Sequence, residues 1–292
     1  MELKPGYKQT DVGVIPEDWD VVPLRQTCRA IYRGASPRPI GDPRWFDQGS
    51  DIGWVRISDV TRSRRYLRET TQRLSEEGIR RSRFVPRGSL IMSICATVGR
   101  PIETAVDVCI HDGFVVFENP SVDQGFLYHV LCDLEPRWAT KGQTGSQMNL
   151  NTNLIKTTSI PLPSTEGEQR AIATALSDVD ALLEGLDRLI AKKRDLKQAA
   201  MQQLLTGETR LPGFRDEWRL VRFGDLASPS YSRIDPSRSE PHEFCVELEH
   251  IEQRTGRLLG WSTTTRVVQT LFGKSGMIFL WCWPAGFQII LR

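Results

Sequence analysis

A long stretch of heptad-spaced apolar residues between positions 164 and 205 is the feature that most constrains the fold. Thr165 and Glu168 have the spacing of a capping box, so a helix is predicted to begin there, directly after the helix-breaking segment 161–163 (PLP). Gly207 supplies a stop signal near Leu205. About 40 residues at a rise of roughly 1.5 Å each make a rod of about 60 Å.

Apolar residues in this segment recur at the a, d and e positions of successive heptads. A stripe of this width must be covered by another surface, and a paired helix is the simplest cover. The predicted helix-pairing residues are Ile172, Val179, Leu182, Leu186 and Leu189. The alternative is an ordinary helix lying on its own domain, although a helix of this length would overhang a globule of about 160 residues.

Short segments recur in the same order on both sides of this helix. Residues 16–24 (PEDWDVVPL) resemble residues 215–223 (RDEWRLVRF), and residues 54–60 (WVRISDV) resemble residues 245–251 (CVELEHI). The segment FVPRGSLIM likewise resembles the later LFGKSGMIF. Each match is weak by itself, but the shared order indicates an internal two-fold repeat whose second copy is shorter.

Positive charge is concentrated in the first copy. The chain of 292 residues has a net charge of only +2, yet residues 21–100 contain sixteen arginines, no lysine and seven carboxylates, a local charge of +9. Arginine presents a planar fork that fits guanine and phosphate, so this stretch predicts contact with nucleic acid. The chosen DNA-contact candidates are Arg56, Arg62, Arg64 and Arg65. A solvated basic surface is the alternative, and a GC-rich genome also favours arginine.

A second polar run covers residues 141–153 (KGQTGSQMNLNTN) and contains amides and hydroxyls but no acid. This composition suits either a loop close to nucleic acid or a turn-rich connector. Its DNA-contact candidates are Lys141, Gln143, Gln147 and Asn149.

The search for catalytic motifs is negative. The sequence has no GxGxxG and no HExxH, and the ending Gly273-Lys274-Ser275 lacks the leading glycine of a P-loop. His242 and Cys245 have a ligand-like spacing but no second pair, so we expect no metal site. The chain is therefore not expected to be an enzyme on its own.

Two further features favour a cytoplasmic protein. The six cysteines are scattered with no CxxC pair, which argues against a disulfide framework. The amino-terminal residues lack the apolar stretch of a signal peptide. Overall composition, with 39% hydrophobic and 25% charged residues, excludes a disordered chain and a polytopic membrane protein.

The order GYKQTDVGVIPEDW, an arginine-rich region, IPLPSTEGEQRAIATALSDVD and LLTGETRLPGF resembles the specificity subunit of type I restriction–modification systems. The resemblance covers about residues 6–275. It implies an α+β fold with a globular target-recognition domain, a long coiled-coil-type spacer helix and a partial second recognition domain. The implied bounds are residues 1–160, 161–210 and 211–275, followed by an aberrant apolar tail over 276–292.

The resemblance also implies a function and a set of partners. Such a subunit binds double-stranded DNA and directs adenine methylation and ATP-dependent cleavage that occur on modification and restriction subunits. No cofactor is expected on this chain, whereas S-adenosylmethionine, ATP and Mg²⁺ are expected on those partners. A homodimer through the long helix is plausible, and no membrane association is expected.

The carboxyl-terminal tail departs from the family pattern. The last 17 residues before Arg292 carry no charge, and Pro284 breaks a stretch already too short to span a membrane. We therefore expect that a frameshift or premature stop truncated an ancestral two-domain subunit. The alternatives are an inactive remnant, or an interaction-only protein that binds the modification subunit without reading DNA. A stand-alone nuclease or methyltransferase is disfavoured by the missing motifs.

Overall fold

The computed structural model describes residues 3–141, 150–226, 246–253 and 256–262, with no account of the side chains of residues 139–141 and 223. The chain divides into two compact units, one ending at Gln202 and the next beginning at Gln203. The first unit holds a mixed globule of strands and short helices followed by most of one long helix, which confirms the predicted α+β class.

In the described part of the chain, the strands are β1 (Tyr7–Thr10), β2 (Gly13–Pro16), β3 (Asp20–Pro23), β4 (Cys28–Arg33), β5 (Gly53–Val55), β6 (Tyr66–Leu67), β7 (Gln72–Arg73), β8 (Arg83–Val85), β9 (Leu90–Ser93), β10 (Pro101–Thr104), β11 (Val108–Ile110), β12 (Phe114–Pro120) and β13 (Ser159–Leu162). The α-helices are α1 (Ile57–Arg62), α2 (Glu76–Arg80), α3 (Gln124–Lys141), α4 (Thr152–Thr157), α5 (Glu166–Leu205) and α6 (Phe223–Leu226). Short 3₁₀ turns cover Leu24–Gln26, Pro43–Trp45 and Leu248–His250.

Two mixed sheets form the centre of the globule. The larger has the order β4-β12-β9-β10-β6, and the smaller has the order β7-β5-β11-β8. Each contains one parallel pair, β10 with β6 and β11 with β5, among antiparallel neighbours. Two small antiparallel pairs, β1 with β2 and β13 with β3, complete the strands.

Strand β9 shows why the sheets stack in layers. Its four residues are all buried, with Leu90 and Met92 in the core shared with α3 and α4, and Ile91 in the core shared with the smaller sheet. Alternate side chains of a strand point to opposite faces, so an uninterrupted apolar run fits a strand covered on both sides.

Helix α5 begins and ends where the sequence predicted. The backbone N–H of Glu168 donates to Thr165 Oγ1 at 3.2 Å, which is one half of the predicted capping box. The Glu168 carboxylate instead accepts from Trp19 Nε1 at 3.2 Å, so it fastens the helix to the amino-terminal segment. After Leu205 the chain turns at Gly207, whose φ of 75° is the left-handed conformation favoured at helix ends.

The predicted domain boundaries stay predictions. The boundary after residue 160 falls inside β13, which pairs with β3 in the amino-terminal part of the globule. Of the predicted second domain, only residues 211–226, 246–253 and 256–262 are described, and the predicted tail lies outside the described residues.

One predicted repeat shares its local geometry. The N–H of Arg56 donates to the Asp59 side chain at 2.9 Å, and the N–H of Glu247 donates to His250 Nδ1 at 2.9 Å. Both matched segments therefore begin a helical turn with the same side-chain cap three residues further on.

Candidate nucleic-acid interface

The first turns of α5 lie on the globule through a polar face. Gln169 is buried, where its Oε1 accepts from the Asp123 N–H at 2.9 Å and its Nε2 donates to the Pro163 carbonyl at 3.1 Å. One turn later Ala173 is buried beside Gly125, at which a Cβ atom would come within 3.2 Å of the Ala173 methyl group. Close approach at Gly125 therefore brings α3 and α5 together.

Arg65 is the central contact between the globule and α5. Its side chain is only 14% exposed, and Nη2 donates to Glu103 Oε1 at 3.1 Å. Its Nη1 donates to Ser177 Oγ on α5 at 2.6 Å, and its guanidinium lies 4.6 Å from the Tyr128 ring centroid. Burial lowers the pKa of Arg65, but the hydrogen bond and charge of Glu103 outweigh it and raise the pKa above its ordinary value.

Further contacts extend along the same face of α5. His129 Nε2 lies 3.2 Å from Ser177 Oγ, and His129 Nδ1 lies 4.0 Å from the Asp180 carboxylate. Burial and the nearby Arg65 lower the pKa of His129. Farther along, Arg64 makes an exposed ion pair with Asp187. At 100° per residue, residues 169, 173, 177, 180 and 187 share one side of the helix, which is the docked side.

The predicted helix-pairing residues face away from the docked side. Val179, Leu182, Leu186 and Leu189 have exposed fractions of 54%, 63%, 46% and 50%, and Ile172 is partly exposed. Neighbouring rows are exposed as well, namely Leu176, Leu183, Ile190 and Leu196. The helix thus lies partly on its own domain, as the alternative anticipated, but through polar residues, and its apolar stripe stays open to a partner.

The four arginines predicted to contact DNA have different surroundings. Arg62 Nη2 donates to the buried Asp59 at 2.7 Å, and Arg64 pairs with Asp187. Arg65 is committed to Glu103 and α5. The exposed guanidinium of Arg56 makes no ion pair or hydrogen bond with any described residue. Of the second group, the Lys141 side chain and residues Gln143, Gln147 and Asn149 lie outside the described structure.

Arg56 lies in a cleft of about 320 Å³. Its lining residues are Ile40, Arg56, Ile57, Ser58 and His111. The backbone of Arg56 is fixed because its N–H donates to Asp59, whose other oxygen holds Arg62 and Thr71. A buried carboxylate with several donors is a rigid anchor, so the cleft has a defined shape.

His111 contributes an uncharged donor to this cleft. Burial lowers the pKa of His111 to about 4, which leaves the ring neutral near pH 7. Its Nδ1 accepts from the Gly113 N–H at 2.9 Å, so the ring proton belongs on Nε2. Within the described part of the chain, Nε2 has no hydrogen-bond partner.

Asp112 holds two arginines beside the cleft. The Arg33 Nε donates to the Asp112 carbonyl at 2.5 Å, and the Arg38 guanidinium lies 3.5 Å from the Asp112 carboxylate. The hydroxyl of Ser36 donates to the same carboxylate at 2.7 Å and lowers the pKa of Asp112. Because two arginines lie beside a single carboxylate, the surface next to the cleft is positively charged.

A second basic groove of about 360 Å³ lies at β8 and β12. Exposed Tyr32 and Phe84 line it, and the Arg83 guanidinium lies 5.1 Å from the Tyr32 ring centroid. Arg87 lines the same groove. Arginine beside an aromatic ring is a common arrangement in nucleic-acid interfaces.

Sequence reasoning missed His111, Ser58, Arg33 and Arg38 as site residues. Only the arginine count pointed toward the last two, and nothing in the order of residues places 33, 38, 56 and 111 together. The register of β11 beside β5 brings residues 56 and 111 together, since it pairs Ile110 with Val55, the residues that precede His111 and Arg56. Arg33 and Arg38 join them through Asp112, the residue after His111.

Candidate metal ligands are few in the described ranges. One group, of which Glu249 is exposed and Glu247 and His250 are partly buried, brings three ligand atoms within 4.8 Å of one another. His250 Nδ1 already accepts from the Glu247 N–H, and exposed acidic groups cluster commonly without an ion. The paired residues His242 and Cys245 lie outside the described residues.

Among the described helices, none is both long and apolar enough to cross a membrane.

Comparison with solved structures first defines the kind of fold. The chain aligns with a structure described as the basis of complex assembly and conformational transition of the type I R-M system, with a TM-score of 0.51 and 21% identity, over 65% of this chain and 46% of the other. It also aligns with the HsdS subunit from Thermoanaerobacter tengcongensis, with a TM-score of 0.50 and 20% identity, over 68% and 47%. At this identity the likeness concerns the fold.

The sequence gives the family directly. The pattern of the Type I restriction modification DNA specificity domain matches residues 16–192, more than half of the chain, and the chain belongs to this family. The MjaIX specificity subunit of Methanocaldococcus jannaschii is 27% identical over 253 residues, 80% of this chain and 57% of the relative. The putative MjaX specificity subunit of the same organism is 26% identical over 215 residues, 70% and 47%. The chain spans about half the length of these curated relatives.

Proposed function

We propose that this chain is a sequence-specific DNA-recognition subunit of a type I restriction–modification assembly. The globule reads duplex DNA, and α5 holds the globule at a fixed position relative to a partner. One observation carries the proposal. Of the sixteen arginines in residues 21–100, seven form ion pairs, and the other nine form none with any described residue. These nine are Arg25, Arg33, Arg56, Arg68, Arg73, Arg81, Arg83, Arg87 and Arg100.

Arginines that form no ion pair within the protein are the surface groups best suited to neutralise DNA phosphates. An arginine already paired with a carboxylate must give up that partner before it can bind DNA, whereas an unpaired one gains a counter-charge and releases cations from the DNA. The local excess of positive charge is therefore available to DNA rather than neutralised within the chain.

We propose further that chemistry takes place on partner subunits. Modification subunits would carry S-adenosylmethionine and methylate adenine, and restriction subunits would use ATP and Mg²⁺ for cleavage. The absence of recognisable catalytic motifs in the sequence supports a non-catalytic role for this chain. Under this proposal the chain itself carries no cofactor.

The exposed apolar rows of α5 support the proposal that another helix packs against them. The polar face of the helix is docked on the globule, and the apolar rows through Leu182 and Leu189 face away from it. We propose that two copies of the chain pair through these rows, because burial of a wide apolar stripe by an equivalent helix removes it from water.

The test is a binding and methylation measurement on the full chain with its modification subunits. We expect specific binding to duplex DNA whose affinity falls with rising salt, and adenine methylation at a defined motif that disappears when this gene is deleted. Binding that is unaffected by salt, or methylation that persists without the gene, would refute the proposal.

Matched charge variants sharpen this test. Neutralising two uncommitted arginines, Arg81→Gln with Arg87→Gln, should reduce the salt-dependence slope by about 2 if both contact phosphates. The control, Arg44→Gln with Arg80→Gln, removes the same charge from residues paired with Asp42 and Glu76 and should change the slope less.

A further inference from the structure

We infer that the cleft around Arg56 reads a guanine in the major groove of the DNA, with Arg56 as the base-contacting residue. The inference rests on the proposed function, because it assigns one position of the recognised sequence to one side chain. It distinguishes Arg56 from the other arginines, which the proposed function treats only as contacts to the DNA as a whole.

The freedom of Arg56 is the first argument. The guanidinium groups of Arg62, Arg64 and Arg65 each form an ion pair with a carboxylate. Arg56 is exposed and has no such partner among the described residues, so its planar pair of donors is available to two acceptors at once. Guanine presents this arrangement in the major groove, through O6 and N7.

The lining of the cleft is the second argument. Besides Arg56, its polar members are the Ser58 hydroxyl and the His111 ring, whose proton belongs on Nε2. No carboxylate of a described residue lines it. Cytosine and adenine present an amino donor in the major groove. The Ser58 hydroxyl can accept as well as donate, but Arg56 and the His111 Nε2–H can only donate, and an amino group placed against them stays unsatisfied and costs binding free energy. These two donors therefore disfavour both bases.

The acid that follows His111 does not alter this pattern. Asp112 follows His111 in the chain, but its carboxylate accepts from the Ser36 hydroxyl and faces the Arg38 guanidinium. A base amino group would have to compete with Ser36 and Arg38 for this carboxylate. Arg33, which forms no ion pair with a described residue, suits a flanking phosphate, and phosphate contacts set the orientation of the duplex.

Rigidity is the third argument. The Arg56 backbone is fixed by Asp59, and a Cβ atom at Gly34 would overlap the carbonyl oxygens of Ile110 and His111. The loop that begins at Gly34 therefore packs directly against the end of β11 and the His111 that follows it. A preformed cleft spends little binding free energy on ordering its own side chains.

The experiment selects bound sequences from a randomised duplex library, using the full chain with its modification subunits. The wild-type complex, Arg56→Gln and Arg56→Ala are compared, with Arg80→Gln as a control that removes one exposed charge outside the cleft. We expect Arg56→Ala to lose guanine preference at one position of each half-site by about 5- to 150-fold. Arg56→Gln should shift that position toward adenine, because a glutamine amide matches adenine N6 and N7. Arg80→Gln should leave the motif unchanged.

Two results would overturn the inference while leaving the proposed function intact. One is an unchanged motif in both Arg56 variants. The other is uniform weakening across all sequences with a salt slope reduced by about 1, which identifies a phosphate contact. A wild-type complex that enriches no sequence overturns the proposed function itself, and the inference with it. Retention of the wild-type circular dichroism spectrum by the variants separates these results from misfolding.

Discussion

Replacing Arg65 with methionine should destabilise the protein strongly. Methionine has an apolar side chain of similar length to the arginine stem, but it lacks the guanidinium that lies between Glu103 and Ser177. Glu103 has a side chain only 9% exposed, so it would be left buried without its counter-charge. Breaking a buried ion pair by removing one partner costs about 3–5 kcal/mol, a large share of the roughly 5–15 kcal/mol that stabilises a typical protein.

A double-mutant cycle identifies the cause. If the loss arises from an abandoned charge, Glu103→Met added to Arg65→Met should recover much of the stability, because a buried pair replaced by apolar residues is often neutral or better. The assay is urea unfolding of the full chain followed by tryptophan fluorescence, with the free energy of unfolding extrapolated to water.

The neighbouring arginine provides a matched control. Arg64 pairs with Asp187 on the same helix, but its side chain is 53% exposed, so water screens the pair. Arg64→Met should leave the unfolding midpoint within error. A buried unpaired charge is not the cause if Arg65→Met lowers the free energy of unfolding no more than Arg64→Met, or if the double variant shows no recovery.

Three further predictions concern the cleft and the helix. Burial lowers the pKa of His111 from 6.5 to about 4, so protonation favours the unfolded chain and about 3 kcal/mol of stability should be lost as pH falls from 6.5 to 4. His111→Asn should flatten the dependence of the free energy of unfolding on pH. Parallel pH curves for the wild type and the variant would contradict this. Gly34→Ala should lower the stability measured in thermal unfolding by about 1–3 kcal/mol, because the added Cβ overlaps backbone oxygens. Gly41→Ala, which has open space around it, should lower the stability clearly less. Equal losses of stability in the two variants would contradict a steric cause. Replacing Leu182 and Leu186 by lysine should abolish a concentration-dependent dimer in mass measurements while leaving the globule folded, and a wild-type chain that stays monomeric at every concentration would refute helix pairing.

The long helix could be predicted in detail because its determinants are local. Capping at Thr165, the stop at Gly207 and the heptad spacing all act over a few residues, and the structure confirms the bounds Glu166–Leu205. The sheets could not be derived in the same way. β5 pairs in parallel with β11 over a separation of 55 residues, since Gly53 pairs with Val108. A pattern of alternating side chains does not identify the partner of a strand.

The same contrast applies to the arginines. The sequence by itself determined that the first part of the chain is rich in arginine and that one helix must present an apolar stripe. Only the tertiary structure decided what each arginine does, because the Arg65 guanidinium contacts Glu103 and Ser177, which lie 38 and 112 residues away, whereas the Arg56 guanidinium pairs with no carboxylate among the described residues. The role of a guanidinium depends on its burial and on the charges around it, and folding sets both, rather than the adjacent residues in the sequence.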